Sequence, residues 1–248
     1  MIQLNQIKSD APQSLRKDQI VKRTEELAKI ISDLQHILYA QQKHSLLVIL
    51  QGMDASGKDG TTQEVFGKCT PGAVKVYGFK KPTEEEMGHD FLWRVHKHAP
   101  EKGYIQVFNR SHYEDILIQR VHGWIDMDRV EKRMAAINAF EELLTFDNNT
   151  TVLKFYLHIS EARQLEKLQE RIDDPLKNWK HNDGDWNERP FWKQYMEAYE
   201  YAFNQSSIPW QIIPADKKWY RNYLVAEAVA QALLNMKLEL PSLPPKTE

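Results

Sequence analysis

A glycine-rich segment that ends in lysine is the part of the sequence whose residue types and spacing indicate chemistry most directly. It reads Gly52-Met53-Asp54-Ala55-Ser56-Gly57-Lys58 and matches the pattern G-x-x-x-x-G-K. Glycines let backbone N–H groups curl around phosphate oxygens, a following helix N-terminus adds partial positive charge, and Lys58 neutralises the phosphates. An ordinary strand-to-helix turn is the alternative. The position directly after an apolar run, residues 45–50, favours a phosphate-binding loop.

The residue after this lysine departs from the usual form of the motif. A Ser or Thr hydroxyl normally binds Mg²⁺ there, but this chain has Asp59. Asp54, inside the loop, offers hard carboxylate oxygens as an alternative magnesium ligand. Its other interpretation is an Asx-type hydrogen bond that stabilises the loop, and both interpretations stay open at this point.

A second polar segment follows the apolar run 104–108. In an open α/β sheet, the carboxyl end of a strand beside the phosphate loop faces the ligand crevice. An acidic metal ligand is expected there, but the chain has Asn109, whose amide oxygen can bind Mg²⁺ or orient its water without adding charge. Arg110 can form a forked contact with phosphate oxygens. Glu114 is either an active-site carboxylate or the acid of a capping box opened by Ser111, and the spacing slightly favours the cap.

Basic residues form a third group. Arg163, Lys167 and Arg171 are spaced by four and therefore share one helical face, and Lys177 and Lys180 follow. Interleaved acidic residues make a solvated surface the default interpretation. The alternative is a mobile lid whose cations neutralise the charge that spreads over phosphoryl oxygens during transfer.

The elements that must position these residues can be predicted from periodicity. Five apolar runs read as strands, at residues 45–50, 74–79, 104–108, 151–159 and 210–213. Helical patterns separate them, and capping boxes at Thr83–Glu86, Ser111–Glu114 and Asp128–Glu131 open three of the helices. This alternation predicts a single α/β domain over residues 1–248, with a mainly parallel five-stranded sheet between helical layers.

Four further segments complete the prediction. Residues 1–15 read as an arm, and residues 16–43 as a long helix that either packs on the sheet or forms a subunit contact. The stretch 173–189 breaks the alternation, which predicts a helical lid over about residues 160–193. A closing helix, 219–237, precedes a proline-rich tail that contains Pro241, Pro244 and Pro245.

Composition excludes several classes of protein. The 248 residues carry 33 Lys+Arg against 35 Asp+Glu, a net charge of −2, so a generally basic nucleic-acid-binding protein is not expected. A polyanionic ligand must therefore be met by locally gathered cations. Cys69 is the one cysteine, which excludes an intramolecular disulfide and fits a reducing compartment. The sequence has no apolar run long enough to span a bilayer and no secretory signal, so we expect a cytoplasmic location and no membrane partner.

Several segments together resemble the polyphosphate kinase 2 family, P-loop phosphotransferases related in fold to thymidylate kinase. The matching segments are residues 52–61, Gly78-Phe79-Lys80-x-Pro82-Thr83, His89-Asp90-Phe91-Leu92-Trp93-Arg94, residues 108–115, Asp174-Pro175-x-Lys177-x-Trp179-Lys180, Pro209-Trp210 and Pro214-Ala215-Asp216-Lys217. A phosphate loop with Asp after its lysine, together with Asn-Arg-Ser-x-Tyr, is more specific than either motif alone. Asp59 and the absent acidic residue at position 109 therefore look like traits of the family.

The resemblance implies reversible transfer of a phosphoryl group between inorganic polyphosphate and nucleotides, with Mg²⁺ or Mn²⁺ as cofactor. It also implies a P-loop kinase fold with a helical lid and assembly as homodimers or homotetramers. By analogy, the catalytic residues are Asp54, Lys58, Asn109, Arg110, Glu114 and Arg171, with Asp54 placing the metal. Expected contacts to nucleotide or polyphosphate are Gly52, Ala55, Ser56, Gly57, Asp59, Gly60, Thr61, Lys80, Arg94, Arg163, Lys177 and Lys180. Glu114 resembles the subgroup that phosphorylates nucleoside mono- as well as diphosphates.

Two other functions remain compatible with the residues. An ATP-dependent nucleoside monophosphate kinase would have the same fold, and a non-catalytic nucleotide-sensing module would keep the phosphate loop without turnover. A GTPase is disfavoured because the chain lacks an Asn-Lys-x-Asp guanine-binding motif.

Overall fold

The computed structural model describes residues 1–242, and its centre is a five-stranded sheet in which every neighbouring pair is parallel. The strands are β1 (Ser45–Gln51), β2 (Val74–Gly78), β3 (Ile105–Asn109), β4 (Thr150–His158) and β5 (Trp210–Pro214). Their spatial order is β2-β3-β1-β4-β5. All seven residues of β1 are buried, which explains its uninterrupted apolar run. The predicted doubly wound α/β architecture is confirmed.

Ten α-helices accompany the sheet within residues 1–242. They are α1 (Lys17–Gln41), α2 (Lys58–Phe66), α3 (Glu84–Met87), α4 (Trp93–His96), α5 (Glu114–Val121), α6 (Met127–Asn148), α7 (Glu161–Asp173), α8 (Asp183–Glu188), α9 (Trp192–Gln205) and α10 (Lys218–Asn235). Helix α10 lies where the closing helix is predicted. Two residues of the predicted proline-rich tail, Pro244 and Pro245, lie outside the described residues.

The helices form two layers around the sheet. Helices α1, α2 and α10 pack against one another, and α5 packs against both α6 and α9. From β1 the chain passes through α2 to β2, which lies at the edge of the sheet beyond β3. The later connections, from β2 to β3, from β3 to β4 and from β4 to β5, all run in the opposite direction across the sheet. Because parallel crossovers are right-handed, this reversal places the two groups of helices on opposite faces. It also opens a crevice beside the carboxyl end of β1, where α/β sheets bind their ligands.

The N-terminal residues differ from the predicted arm because they pack onto the domain. Leu4 is 2% exposed, and its backbone N–H donates to Glu200 Oε1 at 2.7 Å. The carbonyl of Ile7 lies 3.1 Å from His158 Nε2 at the end of β4. The following helix, α1, buries its apolar stripe along α10 and α2. It therefore packs within the chain, and a subunit contact through its exposed face stays a prediction.

Two of the three predicted capping boxes are wrong. Thr83 and Glu86 do form a reciprocal box at the start of α3. Helix α6, however, is capped by Asp126, whose side chain accepts from Arg129 N, rather than by Asp128. Helix α5 begins at Glu114 itself and receives no side-chain cap. In the described part of the chain, none of the helices is long and apolar enough to span a membrane.

Candidate active site

The loop between β1 and α2 is folded as a concave turn that requires its glycines. Gly52 has φ +151° and Gly57 has φ +99°, both in the region that favours glycine. A Cβ atom on Gly52 would lie 2.8 Å from the carbonyl oxygen of Leu157, and one on Gly57 would lie 2.0 Å from Arg221 Nη1. Ala55 adopts φ +61° as well. The two glycines thus leave room for a backbone carbonyl of β4 and for the Arg221 side chain of α10.

Every backbone carbonyl from residue 52 to residue 56 accepts a hydrogen bond from a side chain, and three of the four donor side chains are cations. The pairs are Lys58 Nζ with the carbonyls of Gly52 (2.8 Å) and Met53 (3.3 Å), Gln164 Nε2 with Asp54 (3.2 Å), Lys167 Nζ with Ala55 (3.2 Å) and Arg221 Nη1 with Ser56 (2.8 Å). The loop's acceptors are therefore occupied, while the first N–H groups of α2 have no intrahelical partner. A loop with satisfied carbonyls and available N–H groups is suited to bind an anion.

The side chains of this loop carry a further sign of an anionic ligand. The Ser56 hydroxyl is buried and has no hydrogen-bond partner among residues 1–242. Burial, followed by repulsion from Arg110, lowers the pKa of Lys58 to about 8, against the opposing effect of nearby carboxylates. An unsatisfied buried hydroxyl and a destabilised ammonium group would both gain from a phosphate group.

The carboxyl end of β3 brings a second set of side chains to the loop. Arg110, with φ +62°, donates its backbone N–H to the carbonyl of Leu50 at 3.0 Å and thereby turns out of the strand. Its guanidinium donates to Asp54 Oδ1 and lies 3.7 Å from Glu114 Oε2. These carboxylates, Glu114 above all, raise the pKa of Arg110. Three residues from three segments thus converge at the predicted crevice.

Glu114 is not the acid of a capping box. The Ser111 hydroxyl accepts from Tyr113 N (3.2 Å), and the Glu114 carboxylate is oriented toward the loop. The Gln51 amide, in the orientation that satisfies both of its ends, donates to Glu114 Oε1 at 3.0 Å and accepts from Ser111. Burial raises the pKa of Glu114, although Arg110 and Lys58 oppose the shift. The capping interpretation is therefore wrong, and Glu114 belongs to the crevice.

The two other acidic positions of the motif have different partners. Asp54 binds Arg110 across the crevice rather than a backbone N–H of its own loop, so the structure does not support the Asx-type alternative. Asp59 Oδ1 accepts from Asn109 Nδ2, which links the start of α2 to the end of β3. Thr61, predicted to contact nucleotide, is fully buried and donates to the carbonyl of Gly57.

A buried polar network lies behind the start of α5. Glu141 accepts from Lys154 Nζ at 2.6 Å and from Tyr113 OH at 3.0 Å, and lies 3.2 Å from His112 Nε2. All four side chains are fully buried. The Lys154 ammonium and the His112 ring hold the pKa of Glu141 below its usual value despite burial. The network anchors the two residues that directly precede Glu114.

The predicted lid places some of its side chains near the phosphate loop and others away from it. Arg171 donates to Asp185 Oδ2 at 2.5 Å and to the carbonyl of Lys180 at 3.1 Å. Burial and, next, the charge of Asp54 raise the pKa of Asp185. Arg171 pairs with Asp185 within the lid, and its contact with substrate stays a prediction. Helix α7 touches the loop directly through Lys167.

The remaining predicted cations of the lid have other neighbours. Arg163 pairs with Glu166 (2.6 Å) and Glu170 (3.5 Å), and Lys177 pairs with Asp174 (3.0 Å). Lys180 is exposed, with its ammonium 4.9 Å from the centre of its neighbour's indole ring. The structure does not bring these three residues to the loop, and their contact with polyphosphate stays a prediction.

The segment after β2 holds two predicted phosphate contacts in different environments. Lys80 is exposed, whereas Arg94 is only 5% exposed. The Arg94 guanidinium donates to Asp115 Oδ2 at 3.0 Å and to the carbonyl of Lys80 at 2.9 Å. Arg94 thus anchors the segment that presents Lys80, and direct binding of phosphate by either residue stays a prediction.

Sequence reasoning missed several side chains that contact the loop or the residues around it. These are Gln51, Gln164, Asp185, Arg189 and Arg221. The sequence pattern assigned Lys167 to a solvated face by default. Arg189 Nη1 donates to Gln164 Oε1 at 2.6 Å and so fixes one of the loop's donors. The spacing of Lys167 from Arg163 and Arg171 was a usable signal. Nothing in the local pattern around Arg221 distinguishes it from a surface arginine on a helix.

The donor set at the crevice fits a hard divalent cation. Asp54 and Glu114 bring carboxylate oxygens to one place, where Arg110 holds both. Within residues 1–242, no group of three or more His, Cys, Asp or Glu side chains is arranged to hold a metal by itself. Mg²⁺ characteristically uses one or two carboxylates and completes its coordination with water and substrate phosphates.

Comparison with known proteins gives consistent matches over nearly the whole chain. A family model described as Polyphosphate kinase 2 matches residues 14–241. A Meiothermus ruber protein named AMP/ADP-polyphosphate phosphotransferase is 46% identical over 218 residues, which cover 87% of this chain and 81% of that protein. A Rhodopseudomonas palustris protein named ADP-polyphosphate phosphotransferase is 39% identical over 230 residues, which cover 87% of this chain and 79% of that protein.

Structural comparison agrees with these matches. The crystal structure of polyphosphate kinase 2 from Arthrobacter aurescens TC1 superposes with a TM-score of 0.95 at 39% sequence identity, covering 99% of this chain and 90% of that chain. The match to the family model includes the phosphate loop, the end of β3 and the lid helices. The resemblance of the motifs is therefore confirmed, and the chain belongs to the polyphosphate kinase 2 family.

Proposed function

We propose that this chain transfers a phosphoryl group between inorganic polyphosphate and ADP, reversibly, and that it also phosphorylates AMP. The observation that carries the proposal is the phosphate loop with its occupied carbonyls, whose Asp54 is linked through Arg110 to Glu114. The relatives from Meiothermus ruber and Rhodopseudomonas palustris, named for phosphotransfer between polyphosphate and AMP or ADP, support this choice of substrates.

The residues supply positioning and charge neutralisation rather than a covalent intermediate. Lys58 donates to its own loop in this structure, so it exchanges two carbonyl partners for phosphate oxygens when substrate binds. Arg110, held between Asp54 and Glu114, meets the charge that develops on the transferred group. Phosphoryl transfer needs little covalent help from protein groups, so no side chain has to act as a nucleophile.

Mg²⁺ is proposed as the cofactor, with Asp54 and the neighbouring Glu114 as the residues that would hold it. Mn²⁺ accepts the same oxygen ligands. When bound, the cation supplies positive charge to phosphate oxygens. Asn109 contributes indirectly, because its amide holds Asp59 at the start of α2.

An assay of ATP formation identifies the phosphoryl donor. Purified protein is mixed with ADP, polyphosphate and Mg²⁺, and ATP is followed with luciferase. We expect ATP only when polyphosphate is present. An ATP-dependent nucleoside monophosphate kinase would form ATP from ADP without polyphosphate, by the reverse of its own reaction, or would form none. A sensing module would bind nucleotide without turnover. Either result would contradict the proposal.

Two variants connect the assay to the loop. Lys58→Ala is expected to remove most turnover with little loss of stability, and Lys22→Ala, at an exposed position of α1, is the matched control. Asp54→Asn is expected to lower turnover and to raise the Mg²⁺ concentration required for half-maximal rate. Near-normal turnover in Lys58→Ala would refute the phosphate-loop assignment.

We also propose a homodimer or homotetramer in the cytoplasm. Exposed apolar side chains support an assembly, since Phe146 is 74% exposed and Val76, on the edge strand β2, is 53% exposed. The single cysteine, Cys69, is compatible with a reducing compartment. Light scattering coupled to size exclusion measures the mass directly, and a mass of one chain would contradict the assembly.

A further inference from the structure

Arg221, on the C-terminal helix α10, is a buried cation that lies directly against the phosphate loop. Its side chain is 2% exposed. Nη1 donates to the carbonyl of Ser56 at 2.8 Å, and Nε and Nη2 both donate to Asn222 Oδ1, at 3.1 and 3.0 Å. The close approach to Gly57 shows that no room remains between the guanidinium and the loop backbone.

In the described part of the chain, the charge of Arg221 has no anionic partner in direct contact. Each acceptor that residues 1–242 give to its guanidinium is a neutral oxygen, from a backbone carbonyl or an amide. Glu64 is connected only through Asn222, whose Nδ2 lies 3.4 Å from Glu64 Oε2. Taking an ion out of water without a counter-ion is costly, and buried arginines are normally paired for this reason. Here burial lowers the pKa of Arg221 to about 10.

The phosphate loop is therefore surrounded by an excess of positive charge before any ligand binds. Lys167 donates to the next carbonyl of the loop, Ala55, at 3.2 Å. Burial, and then the charges of Arg221 and Arg163, lower the pKa of Lys167 to about 8. Lys58 is likewise destabilised by burial. Three cations around five loop residues repel one another, and a polyanion in the loop relieves that repulsion.

We propose that Arg221 is a positioning residue of the phosphate site. It holds the Ser56 carbonyl and places a fixed positive charge behind the loop. The counter-ion of this charge is the bound phosphate chain. This inference rests on the proposed function for the identity of the anion. Arg221 itself does not reach the crevice surface, so its effect on the anion is transmitted through the loop backbone and the low-dielectric space around it.

The test separates the charge of Arg221 from its hydrogen bond. Arg221→Lys keeps the charge, whereas Arg221→Gln keeps a donor for the Ser56 carbonyl and loses the charge. Arg133→Gln is the matched control, since Arg133 also donates to a backbone carbonyl, that of Asp115 at 2.7 Å, and has no hydrogen bond to the loop. Binding of inorganic tripolyphosphate is measured by calorimetry at two salt concentrations, together with kcat and KM for polyphosphate and a melting curve.

For Arg221→Gln we expect a rise of about tenfold or more in the Kd of tripolyphosphate and in KM, because a unit charge close to the anion is lost at an effective dielectric constant of about 20. The salt dependence of binding should become shallower as well. Arg221→Lys should stay within about threefold of the wild type, and the control should bind normally. Recovery by lysine is the result that a purely structural role would not produce.

Two results would overturn the inference: unchanged binding in Arg221→Gln, or equal weakening in both variants with an equal loss of melting temperature, which would make Arg221 only a support of the loop. The wild-type measurements keep the two proposals separate. If the wild type binds tripolyphosphate in an Arg221-dependent way but forms no ATP from polyphosphate, the proposed function fails and the inference about the loop stands.

Discussion

The affinity of this protein for polyphosphate is expected to fall above about pH 8. Lys58 and Lys167 both donate to carbonyls of the phosphate loop. Their pKa values are each lowered to about 8 from the usual 10.5, in both cases mainly by burial. A phosphate chain stabilises the charged ammonium and raises both pKa values again. Binding therefore requires proton uptake wherever the free protein holds these lysines neutral.

The magnitude follows from the titration. A group with a pKa of about 8 is roughly 90% protonated at pH 7 and roughly 10% protonated at pH 9. Each lysine therefore lowers the affinity by up to about tenfold over this range, and the two together by up to about a hundredfold. Stability changes in the opposite direction. Because the unfolded chain binds more protons between about pH 8 and 10.5, these lysines make the free protein more stable as pH rises through that window.

Calorimetry with polyphosphate at pH 7, 8 and 9, in two buffers of different ionisation enthalpy and at constant ionic strength, measures affinity and proton uptake together. Lys167→Met is the informative variant, because it removes one of the two groups. The ionisation of the ligand itself cancels in the difference between wild type and variant. On binding polyphosphate at pH 9, we expect the variant to take up fewer protons than the wild type, by up to about one proton per molecule. Equal proton uptake by both proteins, or an affinity that does not change between pH 7 and 9, would refute the reasoning.

Three further predictions concern the residues around the loop. Glu114→Gln should lower kcat/KM for AMP more than for ADP, because the carboxylate acts by its charge. The melting temperature should change by no more than about 2 °C, since Glu114 does not cap α5. An unchanged ratio of the two kcat/KM values would leave the AMP assignment without support. Gly57→Ala should remove most turnover, since its Cβ would lie 2.0 Å from a guanidinium nitrogen, whereas Gly72→Ala, which meets nothing within 4 Å, should not. Lys154→Met should lower the free energy of unfolding by about 3–5 kcal/mol in urea titrations, since it removes the ammonium partner of the buried Glu141 carboxylate. Adding Glu141→Leu should recover part of the loss.

The fold was largely predictable because its signals are local. Buried parallel strands read as short apolar runs, and all five predicted strands agree with the structure to within about one residue at either end. Helix N-termini were harder. At Ser111 the sequence has the capping pattern, but Gln51 at the end of β1 competes for the same groups and turns Glu114 toward the loop. A local pattern could not include a partner 60 residues earlier in the chain.

The candidate site divides in the same way between sequence and structure. The phosphate loop, Asp54, Asn109 and Arg110 were predictable from the sequence alone, because the chemistry of phosphate binding requires those residue types at the ends of adjacent strands. Local spacing also favoured the pairing of Arg163 and Lys177 with acidic residues three positions away. Only the tertiary structure decided that α7 and α10 supply the loop's remaining donors. The physical reason is that a hydrogen bond or a buried charge depends on which groups exclude water from it. That exclusion is established by packing between segments far apart in the chain, which leaves no trace in local spacing.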